Sequence, residues 1–222
     1  MNRLASLTLA IALSGCATLD TVTGRLKDAV GDLGVKGPGA CELYTQKGRG
    51  LAEAAWTHDW PVFAPMLDTP PDPVADEAFA RSIIESYGAR ILTKPEGQQH
   101  STAVVFAVFL DPDFEAKSDV QQAATMNHEA AHIVWQHRVG IAMASADYVT
   151  VSGRLSVEAV AYALGDLVHR RHGVSAEWIE RTRMRRASSF PETYKLERLV
   201  SSKCVYNYLT AVSDTLRERT GR

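Results

Sequence analysis

The chain has 222 residues, 45% of them hydrophobic and 23% charged, a balance that suits one folded domain with a sizeable core. A net charge of -2 and a pI near 6.4 exclude a strongly basic surface of the kind that draws nucleic acid through counterion release. Composition sets nucleic-acid partners aside and names no function by itself.

The N-terminus has the build of an export signal: Arg3, an apolar run from Leu4 to Leu13, then the small residues Ser14 and Gly15 before Cys16. A mainly apolar run of ten residues rises about 15 Å as a helix, half of a hydrocarbon core of roughly 30 Å, so residues 1–15 are expected to be removed as a signal peptide. The stretch Leu13, Ser14, Gly15, Cys16 resembles the lipobox of bacterial lipoproteins. That resemblance implies a lipid on Cys16, which becomes the mature N-terminus and anchors the chain to a membrane. A plain signal peptide with an incidental cysteine is the alternative. By similarity to enterobacterial lipoproteins, Ala17 in place of Asp implies the periplasmic face of the outer membrane, with the inner membrane left open. Residues 16–40 carry the anchor and close on Lys36, Gly37, Pro38, Gly39, which reads as a flexible tether to a domain over 41–222. With Cys16 acylated, Cys41 and Cys204 are the remaining thiols in a compartment where disulfides persist; they form one bridge or stay as two separate buried cysteines.

Within the domain, a helical pattern runs from Cys41 to about Trp56, and Pro61, Pro65, Pro70, Pro71 and Pro73 predict a long irregular connection. A second helix is expected near Asp76 to Tyr87. Arg90 to Thr93 and Thr102 to Leu110 read as a hairpin, with turn chemistry at Lys94, Pro95, Glu96, Gly97. Ser118 and Gln121 supply a capping box for a helix reaching about Arg138. A further helix is expected from near Ser156 to His172 with Gly173 as its stop, Ser175 caps another, and the tail from Glu192 to Arg219 is helical in pattern. Arg181, Arg183, Arg185 and Arg186 read as a solvated helical face, with contact to anionic lipid headgroups as the alternative.

The helix after Ser118 contains His128, Glu129, Ala130, Ala131, His132, an HExxH motif. Residues four apart share one helical face with Cβ atoms about 5–6 Å apart, so both imidazoles can grip a single ion. Glu129 projects about 100° round the helix, beside the ion, where it suits a base for activated water. Catalytic zinc takes three protein ligands and a water, so a third ligand is required. A metzincin-type continuation needs Gly at 135 and His at 138; Trp135 and Arg138 exclude it. Glu158, at the start of the next predicted helix, is the chosen ligand, with Asp147 and Asp166 in reserve; the competing account of Glu158 is a first-turn carboxylate stabilised by the helix dipole. His169 and His172, in the last turn of that helix, read first as structural.

The region from about Asp119 to Gly165 resembles the M48 family of gluzincin metallopeptidases. His128, Glu129 and His132 are followed five positions later by His137, and Glu158, Ala161 and Gly165 keep the order of the family's E-x-x-A-D-x-x-G segment, with Tyr162 in place of the Asp. The resemblance implies an α+β zincin-like fold, mostly helical, with a small antiparallel sheet beside the active-site helix. It also implies zinc on His128, His132 and Glu158, and Glu129 as the base. Tyr162 or Asp166 would support a ligand from behind, and His137 is a further supporting candidate that reads first as a structural histidine. The function expected is a zinc endopeptidase acting on peptide or protein substrates of the cell envelope, with Tyr148, Tyr162 and His169 as candidate oxyanion donors. The alternatives are a non-catalytic zinc-binding lipoprotein serving as scaffold or chaperone, and a purely structural lipoprotein in which the motif is coincidental. Nothing in the sequence sets the oligomeric state.

Overall fold

A computed structural model describes residues 39–95, 101–104, 106–140, 151–194, 196 and 200–221. The signal peptide, Cys16, the tether up to residue 38, Asp147 and Tyr148 lie outside the described residues. The elements in order are α1 (Ala40–His58), α2 (Trp60–Leu67), α3 (Pro73–Ser86), β1 (Arg90–Thr93), β2 (Thr102–Val104), β3 (Ala107–Leu110), a 3-10 turn (Phe114–Ala116), α4 (Asp119–Val139), α5 (Val151–Arg171), α6 (Ala176–Thr193) and α7 (Ser202–Thr220). The class is α+β, mostly helical with one small sheet. No helix among the described residues is long and apolar enough to cross a membrane.

Local chemistry explains most element ends. The Ser118 hydroxyl accepts from the Gln121 N–H while the Gln121 side chain accepts from the Ser118 N–H, so α4 starts on the capping box read from the sequence. The Ser175 and Ser201 hydroxyls cap α6 and α7 by accepting from the Trp178 and Cys204 N–H groups, and Gly173, at φ +77°, ends α5 in a conformation that favours glycine. Three expectations are corrected. The proline-rich connection contains α2: Pro61 lies in its first turn, where its missing N–H costs nothing, and Trp60, Phe63, Met66 and Leu67 give the segment a buried face. Helix α3 starts at Pro73 rather than near Asp76, because the Asp72 side chain accepts from the N–H groups of Val74 and Ala75. The sheet is mixed, not antiparallel: its order is β1-β3-β2, with β1 parallel to β3 and β2 antiparallel to it. The apolar run 102–110 is divided, with Val104 opposite Ala107, so that Ala103, Val108 and Leu110 are buried together while Phe106 stays exposed. Arg90–Thr93 therefore pairs with the second half of that run and not the first.

Helix α4 lies between α3 and α5, and β2 packs on it, so the HExxH segment runs through the core. Asn127 bridges α4 to α3 by donating to the Asp76 carbonyl. Asp76 is buried at 1% exposure and holds Arg171 at 2.8 Å and His172 at 2.7 Å, which fixes the start of α3 to the end of α5. Arg138, where a metzincin would carry a ligand, instead gives two hydrogen bonds to Asp59 at 2.5 and 3.0 Å and ties α4 to the α1–α2 corner. Helices α1 and α7 lie side by side and approach closely at Gly48, where a Cβ would stand 2.8 Å from the Tyr208 carbonyl oxygen.

Cys41 and Cys204 are joined by a disulfide between these two helices, 163 residues apart in sequence. A loop of that length restricts the unfolded chain strongly, and bridges of this kind contribute about 2–4 kcal/mol. Replacing both cysteines by serine is expected to lower the urea unfolding free energy by about that amount. An unchanged midpoint would show that the α1–α7 contact holds without the bridge.

Candidate metal centre

His128 and His132 lie one turn apart on α4, with their Nε2 atoms 3.1 Å from each other and their rings edge-on at 83°. Glu158 enters from α5 and brings Oε2 to 3.7 Å from the His128 Nε2 and 3.8 Å from the His132 Nε2. The three side chains are those that the described residues group as able to hold a metal ion, with ligand atoms within 4.8 Å of one another. A point equidistant from the three atoms lies about 2.1 Å from each, which is the bond length of a small divalent cation to nitrogen or oxygen. The donor set therefore fits a metal ion without rearrangement.

The electrostatics agree. Burial pushes the His128 imidazole well below its ordinary range, helped by His132 and Arg186, and burial lowers His132 as well. Both rings are neutral at pH 7, the state in which a ring nitrogen offers its lone pair to a metal. The Ala161 carbonyl bonds the His128 ring from behind. Tyr194 donates to Oε1 of Glu158 at 3.1 Å, which leaves Oε2 turned to the imidazoles. Tyr162 also bonds Glu158, and its ring packs on His128 with centroids 5.0 Å apart.

Glu129 is 3% exposed, with its pKa raised to about 8, first by burial and then by Glu158. The Ala103 N–H of β2 bonds its carboxylate, while Oε2 has no hydrogen-bond partner among the described residues. The Gln136 side chain donates to the Ala103 carbonyl at 3.4 Å, so α4 already occupies the outward backbone of β2 at that residue. An extended chain adding to this edge would have to share the Ala103 N–H with Glu129. Around the triad lies a cavity of about 700 Å³, lined from β2 and α4 by Thr102, Ala103 and Thr125 and from α5 and α6 by Gly165, His169, Arg186 and Thr193.

Several sequence-level readings change. Helix α5 begins at Val151, five residues before its expected start, so Glu158 stands two turns inside it. The helix dipole acts within the first turn and no longer accounts for this carboxylate. Asp166 does not reach the triad; it accepts from Arg186 at 2.8 Å and lies 3.6 Å from Arg183. His137 is an exposed residue whose ring lies tilted against Tyr87 with centroids 5.0 Å apart, and it does not line the cavity, so it is not a supporting residue of the site. His172 is structural, as read, and His169 lines the cavity with its Nδ1 bonded to the Gly165 carbonyl. The arginine cluster is not one solvated face: Arg181 pairs with exposed Glu177, whereas Arg183 is buried and Arg186 lies over the Tyr162 ring. Tyr194 was missed. It closes α6, 36 positions after Glu158, and no local pattern marks a tyrosine as the partner of so distant a carboxylate.

No family model matches the chain, and neither a curated protein nor a solved structure matches it.

Groups that orient a ligand from behind typically set metal affinity by about 10–100-fold. Tyr194→Phe removes the hydrogen bond to Oε1 of Glu158 and keeps the ring. Competition with a chromophoric chelator is expected to read a loss of about tenfold in affinity for a divalent cation. Equal affinities for the parent and the variant would remove Tyr194 from the site.

Proposed function

We propose that this chain is a zinc-dependent endopeptidase of the gluzincin type, acting on cell-envelope proteins and tethered there by a lipid on Cys16. The observation that carries the reading is the convergence of His128, His132 and Glu158 beside a glutamate whose Oε2 has no partner among the described residues. Two imidazoles and one carboxylate with an open side form the donor set of hydrolytic zinc sites, and imidazole nitrogen disfavours magnesium and calcium, which prefer oxygen ligands. The resemblance to M48 peptidases adds support, because its Gly165 position lies against Ala124 of α4 and its Ala161 position is buried. The Cys41–Cys204 bridge suits an oxidising compartment, as export would provide.

Zinc bound by these residues would supply a Lewis acid that polarises a peptide carbonyl and lowers the pKa of water to about 7. The chain's own groups do the rest. Glu129, one helix position after His128, takes a proton from the attacking water and returns it to the leaving nitrogen. The Ala103 backbone on β2 favours the charged form of this carboxylate, the form that accepts a proton. Tyr194 and Tyr162 restrain Glu158, and the Ala161 carbonyl restrains His128. Of the oxyanion candidates, Tyr162 and His169 line the cavity.

Glu129→Gln is expected to bind one zinc per chain and to lose at least 100-fold in casein degradation, in line with removal of a general base, about 10²–10⁴-fold. Metal analysis and the casein assay on the parent and the variant check this together. Equal proteolysis by both would take Glu129 out of the chemistry. Stoichiometric zinc with no cleavage by the parent would favour the non-catalytic, zinc-binding scaffold, and absence of zinc the structural lipoprotein.

A further inference from the structure

Arg186 lines the cavity of the metal triad from α6. Its guanidinium carbon lies 4.3 Å from the centroid of the Tyr162 ring, and that ring also packs on His128. One aromatic ring therefore touches both this cation and His128. A guanidinium carries five N–H donors in a planar fork. Among the described residues the side chain of Arg186 gives one hydrogen bond, from Nη1 to Oδ1 of Asp166 at 2.8 Å. Asp166 is buried at 2% exposure, and its other oxygen lies 3.6 Å from buried Arg183, which makes it a rigid anchor. Arg186 itself keeps 23% of its side chain exposed. Ser189 and Thr193, further along α6, add hydroxyls to the same wall, and Lys117 on the sheet side adds a cation held by Asp111.

An arginine anchored through one nitrogen, stacked on a ring and facing a cavity is preorganised for a second anion. We infer that Arg186 determines specificity in the cleft by taking a carboxylate of the substrate, supplied by an acidic side chain or by the C-terminus, close to the scissile bond. This rests on the peptidase reading above and names the substrate class of that same site. An extended chain advances about 3.3 Å per residue, so the shared ring places the anion within about three residues of the cleaved bond.

The test reads binding, not turnover. The Glu129→Gln protein, supplied with zinc, is titrated into dye-labelled hexapeptides of one sequence and followed by fluorescence anisotropy. The peptides carry Glu or Gln beside the central bond, each with a free or an amidated C-terminus. A carboxylate version is expected to bind about tenfold more tightly than its amide counterpart, the scale of a charge-assisted hydrogen bond. The arm that shows the difference identifies the source of the carboxylate. Adding Arg186→Gln with Asp166→Asn, which removes the cation and its buried counter-ion together, is expected to bring the ratio to about one. Asp166→Asn without the arginine change is expected to keep the preference. Equal binding of all four peptides, or a preference that survives loss of Arg186, overturns the inference and leaves the peptidase reading in place. No binding of any peptide overturns both.

Discussion

Helices α4 and α5 meet along small residues, and the distance between their axes decides whether Glu158 reaches the histidine pair. A Cβ on Gly165 would stand 3.4 Å from the Ala124 carbonyl oxygen, and Ala161 is 1% exposed in the same seam. A methyl group on Gly165 would reach van der Waals contact with the α4 backbone, so the two helices already lie close at this point. That approach accompanies the 3.7 and 3.8 Å separations between Glu158 and the two imidazoles. The spacing of the E-x-x-A-x-x-x-G segment thus has a physical content: it sets the approach, and the approach makes the site.

Three ligand-type groups gathered in a core are a cost to folding unless something offsets it. The imidazoles avoid the penalty by being neutral, while Glu129 and Glu158 face each other across the same small volume. A divalent cation would relieve that conflict. The contrast with the structural polar groups is informative. Asp76 with Arg171 and His172, and Asp59 with Arg138, are paired in the ordinary way and clamp the ends of α3, α4 and α5. Glu129 Oε2 and the Nδ1 of His132 instead remain buried with no partner among the described residues. These two atoms lie within the motif itself, beside the candidate ligands, where a functional account is needed.

What could be read from the sequence was local. The capping box at Ser118, the glycine stop at Gly173 and the i, i+4 pairing of His128 and His132 each depend on neighbours within one or two turns, and each is found as read. Glu158 was reachable because an acidic residue had to follow the motif and the next helix had to return along it. The misses were tertiary. Burial of Trp60, Phe63 and Met66 overrides the helix-breaking signal of Pro65, and the strand pairing of β1 with β3 depends on which half of an apolar run folds back. Tyr194 and Arg186 act on the site from α6, and only the packing of that helix over α5 brings them there.

The central claim is that one cation is held by two imidazoles and one carboxylate from neighbouring helices. X-ray absorption at the zinc edge, on the purified full chain and on Glu158→Ala, tests it most directly. The account expects one zinc per chain with nitrogen and oxygen neighbours at about 2.0–2.2 Å, an imidazole scattering pattern for two rings and no sulfur, and weaker or absent binding in the variant. A chain that takes up no zinc, a shell containing sulfur, or a spectrum unchanged by Glu158→Ala would contradict it.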